Sequence, residues 1–325
     1  MPKVSVCIPT YNTARYLPEA IESVLRQDFD DYELIICDNA STDTTPELCR
    51  RYTDPRFQYK RFDQLVNQAG NFNRCLEAAR GEFITLLHAD DIFLPGFLAD
   101  RVKRLEENPG LDFVFGAVKI IDAAGAALSI KRHWDSDRTF APKALLEDLL
   151  FACLISPPSL MVRRQAVEKA GAFRTDLTWG HDWDWTMRLA EKGGAAYASH
   201  PLAAYRVHDA SGTAEILSAA KNGAQERRIL HETFKRLSAE SRLSELKRRA
   251  FQALSKRHMY FAEQALMRGK RRVARNNLHY AVGANYALLT RPTFWALLIG
   301  SLLPLSCYTY YRNLRRKFDT AAGVL

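Results

Sequence analysis

The sequence predicts an α/β fold, a mainly parallel sheet flanked by helices, followed by a helical, basic C-terminal region. Three observations carry this. Short apolar runs alternate with stretches of helical periodicity, the pattern of βαβ units. The polar clusters fall just after the apolar runs, where ligands of such sheets bind. The charge is also divided: residues 1–215 carry 25 Lys and Arg against 31 Asp and Glu, whereas residues 216–325 carry 21 against 6. The expected division is therefore 1–215 for the sheet and its site, and 216–325 for a helical region suited to an anionic surface.

Each element has its own justification. "KVSVCIP" (3–9) is a strand ending at Pro9, and "ARYLPEAIESVLRQ" (14–27) places Leu17, Ile21, Val24 and Leu25 on one helical face. "YELIICD" (32–38) is a second strand, followed by a helix near 44–53, a strand at 57–61 and a helix near 70–80. "EFITLLH" (82–88) hardly alternates, which predicts burial on both faces. A helix near 95–107 and a strand at 112–118 follow, then a more mixed stretch with a helix at 181–192 and a strand-like "YRVH" at 205–208.

Three strand ends gather polar residues: "PTYN" (9–12), "CDNASTD" (37–43) and "HADD" (88–91). Adjacent Asp90 and Asp91 are hard-oxygen ligands for a divalent cation that bridges phosphates; the alternative is capping of the next helix. Asp38 is placed to accept from a base N–H with Tyr11 as a stacking face, or else forms an Asx-turn. Asp182 and Asp184 open a helix, where the dipole favours them as caps and where one could equally serve as a general base. His208 is read either as a metal ligand or as a structural histidine. Neither GxxxxGK followed by Ser or Thr nor GxGxxG after the first strand is present, which argues against P-loop ATP hydrolysis and a dinucleotide fingerprint. Six cysteines without CxxC spacing fit a reducing compartment, and "MPKVSVCIPTYN" is no signal peptide, so a cytoplasmic location is expected. The basic charge comes without zinc-finger or RNP-like spacing, so no nucleic-acid partner is expected.

In this order the segments resemble the family 2 glycosyltransferases, inverting enzymes on the Rossmann-like GT-A fold, over roughly residues 3–211. "VSVCIPTYNTARYLPEAIESVLRQ" is similar to the family's opening strand, turn and helix, which implies nucleotide contacts at Pro9, Thr10, Tyr11 and Asn12. "YELIICDNASTDTT" resembles its next strand, implying that Asp38 contacts the base. "NQAGNFNRCLEAARGEFI" resembles the run before the metal strand, implying that Asn73 is among the nucleotide contacts. "LLHADD" resembles the metal motif, implying Mg2+ or Mn2+ at Asp90 with Asp91 beside it and Asp90 near the nucleotide. "GHDWDW" resembles the segment whose aspartate is the catalytic base, here Asp182. "YRVHDAS" implies that His208 helps bind metal or diphosphate. Three positions depart from the pattern: His88 and His181 stand where acids are usual, and Asn39 where Asp is.

The resemblance implies transfer of a sugar from a nucleotide donor, UDP- or dTDP-linked, to a hydroxyl of a glycan or lipid-linked acceptor, as in cell-surface polysaccharide synthesis. A nucleotidyltransferase would need a Gly-rich basic N-terminal loop, unlike "PTYNTARY". A non-catalytic nucleotide-sugar-binding or scaffold protein is the other alternative, favoured by His88 and His181 and opposed by Asp38, Asp90 and Asp182. The charge-free stretch "PTFWALLIGSLLPLSCYTYY" (292–311) has basic flanks, Trp295 and a tyrosine cluster. These suit peripheral attachment to the anionic cytoplasmic face of the plasma (inner) membrane. Packing on the catalytic domain, or on a second copy in a homo-oligomer, is the other reading.

Overall fold

A computed structural model describes residues 1–209, 222–237 and 243–303. The chain divides into two compact units, Met1–Asp209 and Ala210–Leu325.

The first unit is built on an eight-stranded sheet ordered β3-β2-β1-β4-β10-β6-β11-β9. Strands β1 (Val4–Thr10) and β2 (Tyr32–Asn39) are buried almost throughout, as a strand covered on both faces must be. They run parallel to each other, to β3 (Phe57–Phe62) and to β4 (Phe83–Leu86). Their carboxyl ends therefore lie along one edge of the sheet, carrying 9–12, 37–43 and 87–91. Helix α1 (Leu17–Leu25) buries Leu17, Ala20, Ile21 and Val24, the periodic face expected of it. Helix α2 (Thr45–Cys49) is short, and α3 (Gln68–Ala78) is capped by Asn67, which accepts the Gly70 N–H at 2.9 Å. Strand β5 (Ile92–Phe93) and helix α4 (Phe97–Glu107) follow the acidic loop.

The remaining strands depart from simple βαβ order. Strand β6 (Leu111–Gly116) is separated from β4 by the antiparallel β10 (Met161–Arg163), three residues too short to show any periodicity. Strand β11 (Gly194–Ala198) pairs parallel with β6, and β9 (Arg138–Phe140) closes the edge. A second sheet, β5-β12-β7-β8, joins β7 (Val118–Ile121), β8 (Ala127–Lys131) and β12 (Ala203–Arg206). The strand expected at 205–208 thus lies two residues earlier, and His208 is released into the loop beyond it. Helices α5 (Ala144–Phe151), α6 (Arg164–Ala170) and α7 (His181–Lys192) cover the sheet, with α7 spanning the predicted residues.

The second unit is helical: α8 (Gly223–Arg236), α9 (Leu243–Met267), α10 (Arg271–Ala284) and α11 (Pro292–Leu302). Ala262, Leu266, Ala274, Leu278, Phe294 and Leu297 form its apolar core. On α11, Phe294, Leu297 and Ser301 are buried, whereas Trp295, Ile299 and Leu302 form an exposed stripe at helical spacing. No helix among the described residues is long and apolar enough to cross a membrane, and residues 304–311 of the charge-free stretch lie outside them.

Candidate active site

The turn after β1 is organised by Asn12, which adopts a left-handed backbone (φ 53°), uncommon outside Gly, Asn and Asp. Its N–H donates to Ser41 Oγ at 2.9 Å, and its Oδ1 accepts the Thr42 N–H at 2.7 Å, tying the β1 end to the β2 end. Thr10 and Thr13 join their hydroxyls across the same turn. Tyr11 is left 45% exposed, a ring face free to stack. The strand runs one residue past Pro9, so that Pro9 and Thr10 sit opposite Cys37 and Asp38 of β2.

Asp38 is fully buried. It accepts the Ser41 N–H at 2.9 Å, the Tyr59 hydroxyl at 2.5 Å and Arg61 Nη1 at 3.3 Å. Burial and this carboxylate raise the Tyr59 phenol far above its usual value. In this arrangement Asp38 shapes the turn and holds Arg61 at its rim. Asn73 is likewise committed to the chain: its Nδ2 donates to the Phe173 carbonyl at 2.9 Å and its Oδ1 accepts the Phe173 N–H at 2.7 Å. That pair clamps the segment leading into α7.

The acidic loop after β4 is held by Arg206, a buried residue of β12 not singled out from the sequence as a site residue. Its N–H donates to Asp91 Oδ1 at 2.9 Å, its Nε to the Asp90 carbonyl at 2.8 Å and its Nη2 to Glu19 at 2.5 Å. The signal for it was the arginine of "YRVH". Two residues on, His208 Nε2 lies 3.1 Å from Asp90 Oδ2, and its ring packs on Tyr16 at 4.8 Å. Asp90, Asp91 and His208 are therefore brought together, and His88 joins them. Ligand atoms of His88, Asp90 and Asp91 lie within 4.8 Å of one another.

Asp91 is only 1% exposed, and its Oδ2 has no hydrogen-bond partner. Burial, and next the Asp90 charge, push its carboxyl well above the usual carboxylate range. An orphaned buried oxygen beside a second carboxylate and imidazole nitrogens is the donor chemistry that a divalent ion satisfies. These residues fit such an ion.

At the N-terminus of α7 the two aspartates separate. Asp184 is fully buried and accepts Arg188 Nε at 2.9 Å, which makes it structural. Asp182 stays half-buried, with Oδ1 accepting the Trp183 N–H at 2.8 Å, and remains reachable. His181 and His88, the two departures from the acidic pattern, meet the same ring: Phe72 lies 5.2 Å from His181 and 5.5 Å from His88. Burial lowers the pKa of both. The charges of Asp90 and Asp182 both act on His88 in the opposite sense. Beside Asp182 lies an apolar cavity lined by Phe72, Leu86, Ile155, Phe173 and Trp185, among others.

The family model described as glycosyl transferase family 2 matches residues 5–171. The chain belongs to this family. It is 29% identical to an uncharacterized protein of Mycobacterium tuberculosis over 70% of this chain and 75% of that one. It is 39% identical to the GalNAc(5)-diNAcBac-PP-undecaprenol beta-1,3-glucosyltransferase of Campylobacter jejuni, over 36% of this chain and 38% of the relative. The fold matches that of Staphylococcus aureus TarS 1–349 in complex with UDP-GlcNAc (TM-score 0.57, 17% identity, 91% and 90% of the two chains). It also matches a Pyrobaculum calidifontis mannosyltransferase in complex with GDP-Man and Mn2+ (TM-score 0.53, 19% identity, 93% and 86%). This family 2 glycosyltransferase thus has the GT-A-like fold, here with a mixed sheet, and the described C-terminal helices follow it.

Proposed function

We propose that this family 2 glycosyltransferase moves a sugar from a nucleoside-diphosphate donor to a hydroxyl of a lipid-linked glycan, with inversion and with a divalent ion. The observation that carries the reading is a pair of accessible carboxylates: Asp90 in the loop after β4, 3.1 Å from His208 Nε2, and half-buried Asp182 at the start of α7, lining an apolar cavity. In this reading one holds an ion and the other takes a proton. The names of the Campylobacter glucosyltransferase and the Staphylococcus complex support the acceptor and donor classes.

In this reading Tyr11 stacks on the base of a UDP or dTDP donor, with Pro9, Thr10, Asn12 and Asp38 shaping the turn around it. Asp90, Asp91 and His208 hold a Mg2+ or Mn2+ ion, which supplies Lewis-acid neutralisation of the departing diphosphate. Asp182 accepts the proton of the acceptor hydroxyl as its oxygen attacks the anomeric carbon. The cavity beside Asp182 receives the acceptor's less polar face, and Arg206 keeps the acidic loop fixed. Residues 1–215 carry this chemistry. The basic second unit places it against an anionic membrane surface, with the exposed stripe of α11 at the lipid interface.

The test is Asp182→Asn. General bases contribute about 10²–10⁴-fold, so turnover should fall by about that factor while metal-dependent UDP binding stays within twofold of wild type. Near-normal turnover would remove Asp182 from the role. Donor binding without transfer or donor hydrolysis in the wild type would favour a binding protein on the same fold.

A further inference from the structure

We infer that His88 contributes a nitrogen ligand to the metal ion, so that the site selects a divalent transition-metal ion over Mg2+. This rests on the reading above that Asp90 and Asp91 hold a divalent ion, and it concerns a residue at which the chain departs from the acidic family pattern.

Asp91 is the first part of the argument. Its Oδ1 is fixed by the Arg206 N–H at 2.9 Å, which sets the plane of the carboxylate and leaves Oδ2 buried and unpartnered. That oxygen lies 3.7 Å from His88 Nδ1, too far for a hydrogen bond between them. Two cis ligands held about 2.1 Å from one ion stand about 3 Å apart. The observed gap is therefore within a small side-chain rotation of joint coordination, and the nearby Asp90 oxygens close a third position.

The imidazole is held for this by packing. Phe72 lies against it at 5.5 Å, and its other nitrogen, Nε2, is buried without a partner. Charge adds a reason. An acid at position 88 would place a third carboxylate beside one that is 1% exposed, with like-charge repulsion that the neutral ring avoids. Exchanging a carboxylate for an imidazole also changes which ion is preferred. Mg2+ takes oxygen ligands and keeps its waters, whereas imidazole nitrogen is a good donor to divalent transition metals.

The experiment uses the full chain with UDP and Mn2+, read by electron spin-echo envelope modulation of the bound ion, alongside Mn2+ and Mg2+ affinities from calorimetry. The expected result is nitrogen coupling to Mn2+ that persists in His208→Ala, shifts to the ¹⁵N pattern in histidine-labelled protein, and is lost in His208→Ala/His88→Ala. His88→Asp should shrink the preference for Mn2+ over Mg2+ at least tenfold. The labelled wild type and His208→Ala decide the matter even where a His88 variant fails to fold. Bound Mn2+ without nitrogen coupling, or coupling that disappears in His208→Ala alone, overturns the inference and leaves the proposed function standing. No UDP-dependent Mn2+ binding in the wild type overturns both.

Discussion

Asn73 offers a test that separates two roles, because the family resemblance places it among the nucleotide contacts and the structure turns it onto the chain. In Asn73→Ala the Phe173 N–H and carbonyl lose partners at 2.7 and 2.9 Å. A net hydrogen bond is worth roughly 1 kcal/mol, so the pair contributes about 2 kcal/mol, rising to about 4 if both Phe173 groups stay dry. The first unit spans Met1–Asp209, and for a domain of that size each kcal/mol moves Tm by about 2–4 °C. Melting should therefore fall by about 4–8 °C, with urea unfolding shifted to match. Phe173 also stacks on Trp185 of α7 at 4.4 Å, so a looser Phe173 should displace Asp182 and lower turnover about tenfold. UDP affinity, measured by calorimetry on the same sample, should stay within twofold. Unchanged melting with tenfold weaker UDP binding would refute the clamp and return Asn73 to the nucleotide.

Two further outcomes are expected. Glu33, buried within β2, is destabilised by burial, but hydrogen bonds from Ser5 and Arg80 more than offset this, so its pKa lies below the usual value. A depressed carboxylate adds stability above the unfolded pKa of about 4.3, and that stability is lost as pH falls through the folded value. Glu33→Gln should therefore be less stable than wild type near neutrality, with the gap narrowing below about pH 4.5 in a urea series; a gap independent of pH would count against the linkage. Trp295→Ala with Ile299→Ser removes exposed residues only, so folding should be intact while flotation with anionic vesicles drops several-fold. Equal flotation of both proteins, or equal binding to neutral vesicles, would sink the lipid-facing role of the stripe.

What could be read from the sequence was what local pattern encodes. The apolar runs of β1, β2 and β4 and the polar residues at their ends announced both the parallel strands and the edge where the site lies. His208, far along the chain from the adjacent Asp90 and Asp91, does reach Asp90. Long-range and very short features were silent. Three residues, Met161–Arg163, cannot display a period, yet they insert an antiparallel strand between β4 and β6. The split between Asp182 and Asp184 depended on long side chains and burial: Asp184 is fully buried and bound by Arg188. On α11 the apolar residues surround the helix, so periodicity could not say which side packs; contact with α9 and α10 decided that Phe294 and Leu297 turn inward.

The same distinction explains the two histidines. As letters, His88 and His181 are separate departures from an acidic pattern, each of which weakens the case for catalysis. In space they share Phe72, and burial lowers the pKa of both. Acids at both positions would crowd four carboxyl groups, or five with Asp91, around one aromatic ring and a largely apolar cavity. Two neutral rings leave the charge on the carboxylates proposed to hold the ion and take the proton. On this argument the substitutions belong together: each restored acid adds to the same crowd of carboxylates, so restoring both should cost more than the sum of restoring each alone. His88→Asp and His181→Glu, compared singly and combined by UDP affinity and melting, should therefore show an unfavourable coupling in the double variant. Strict additivity would mean that the two histidines act independently.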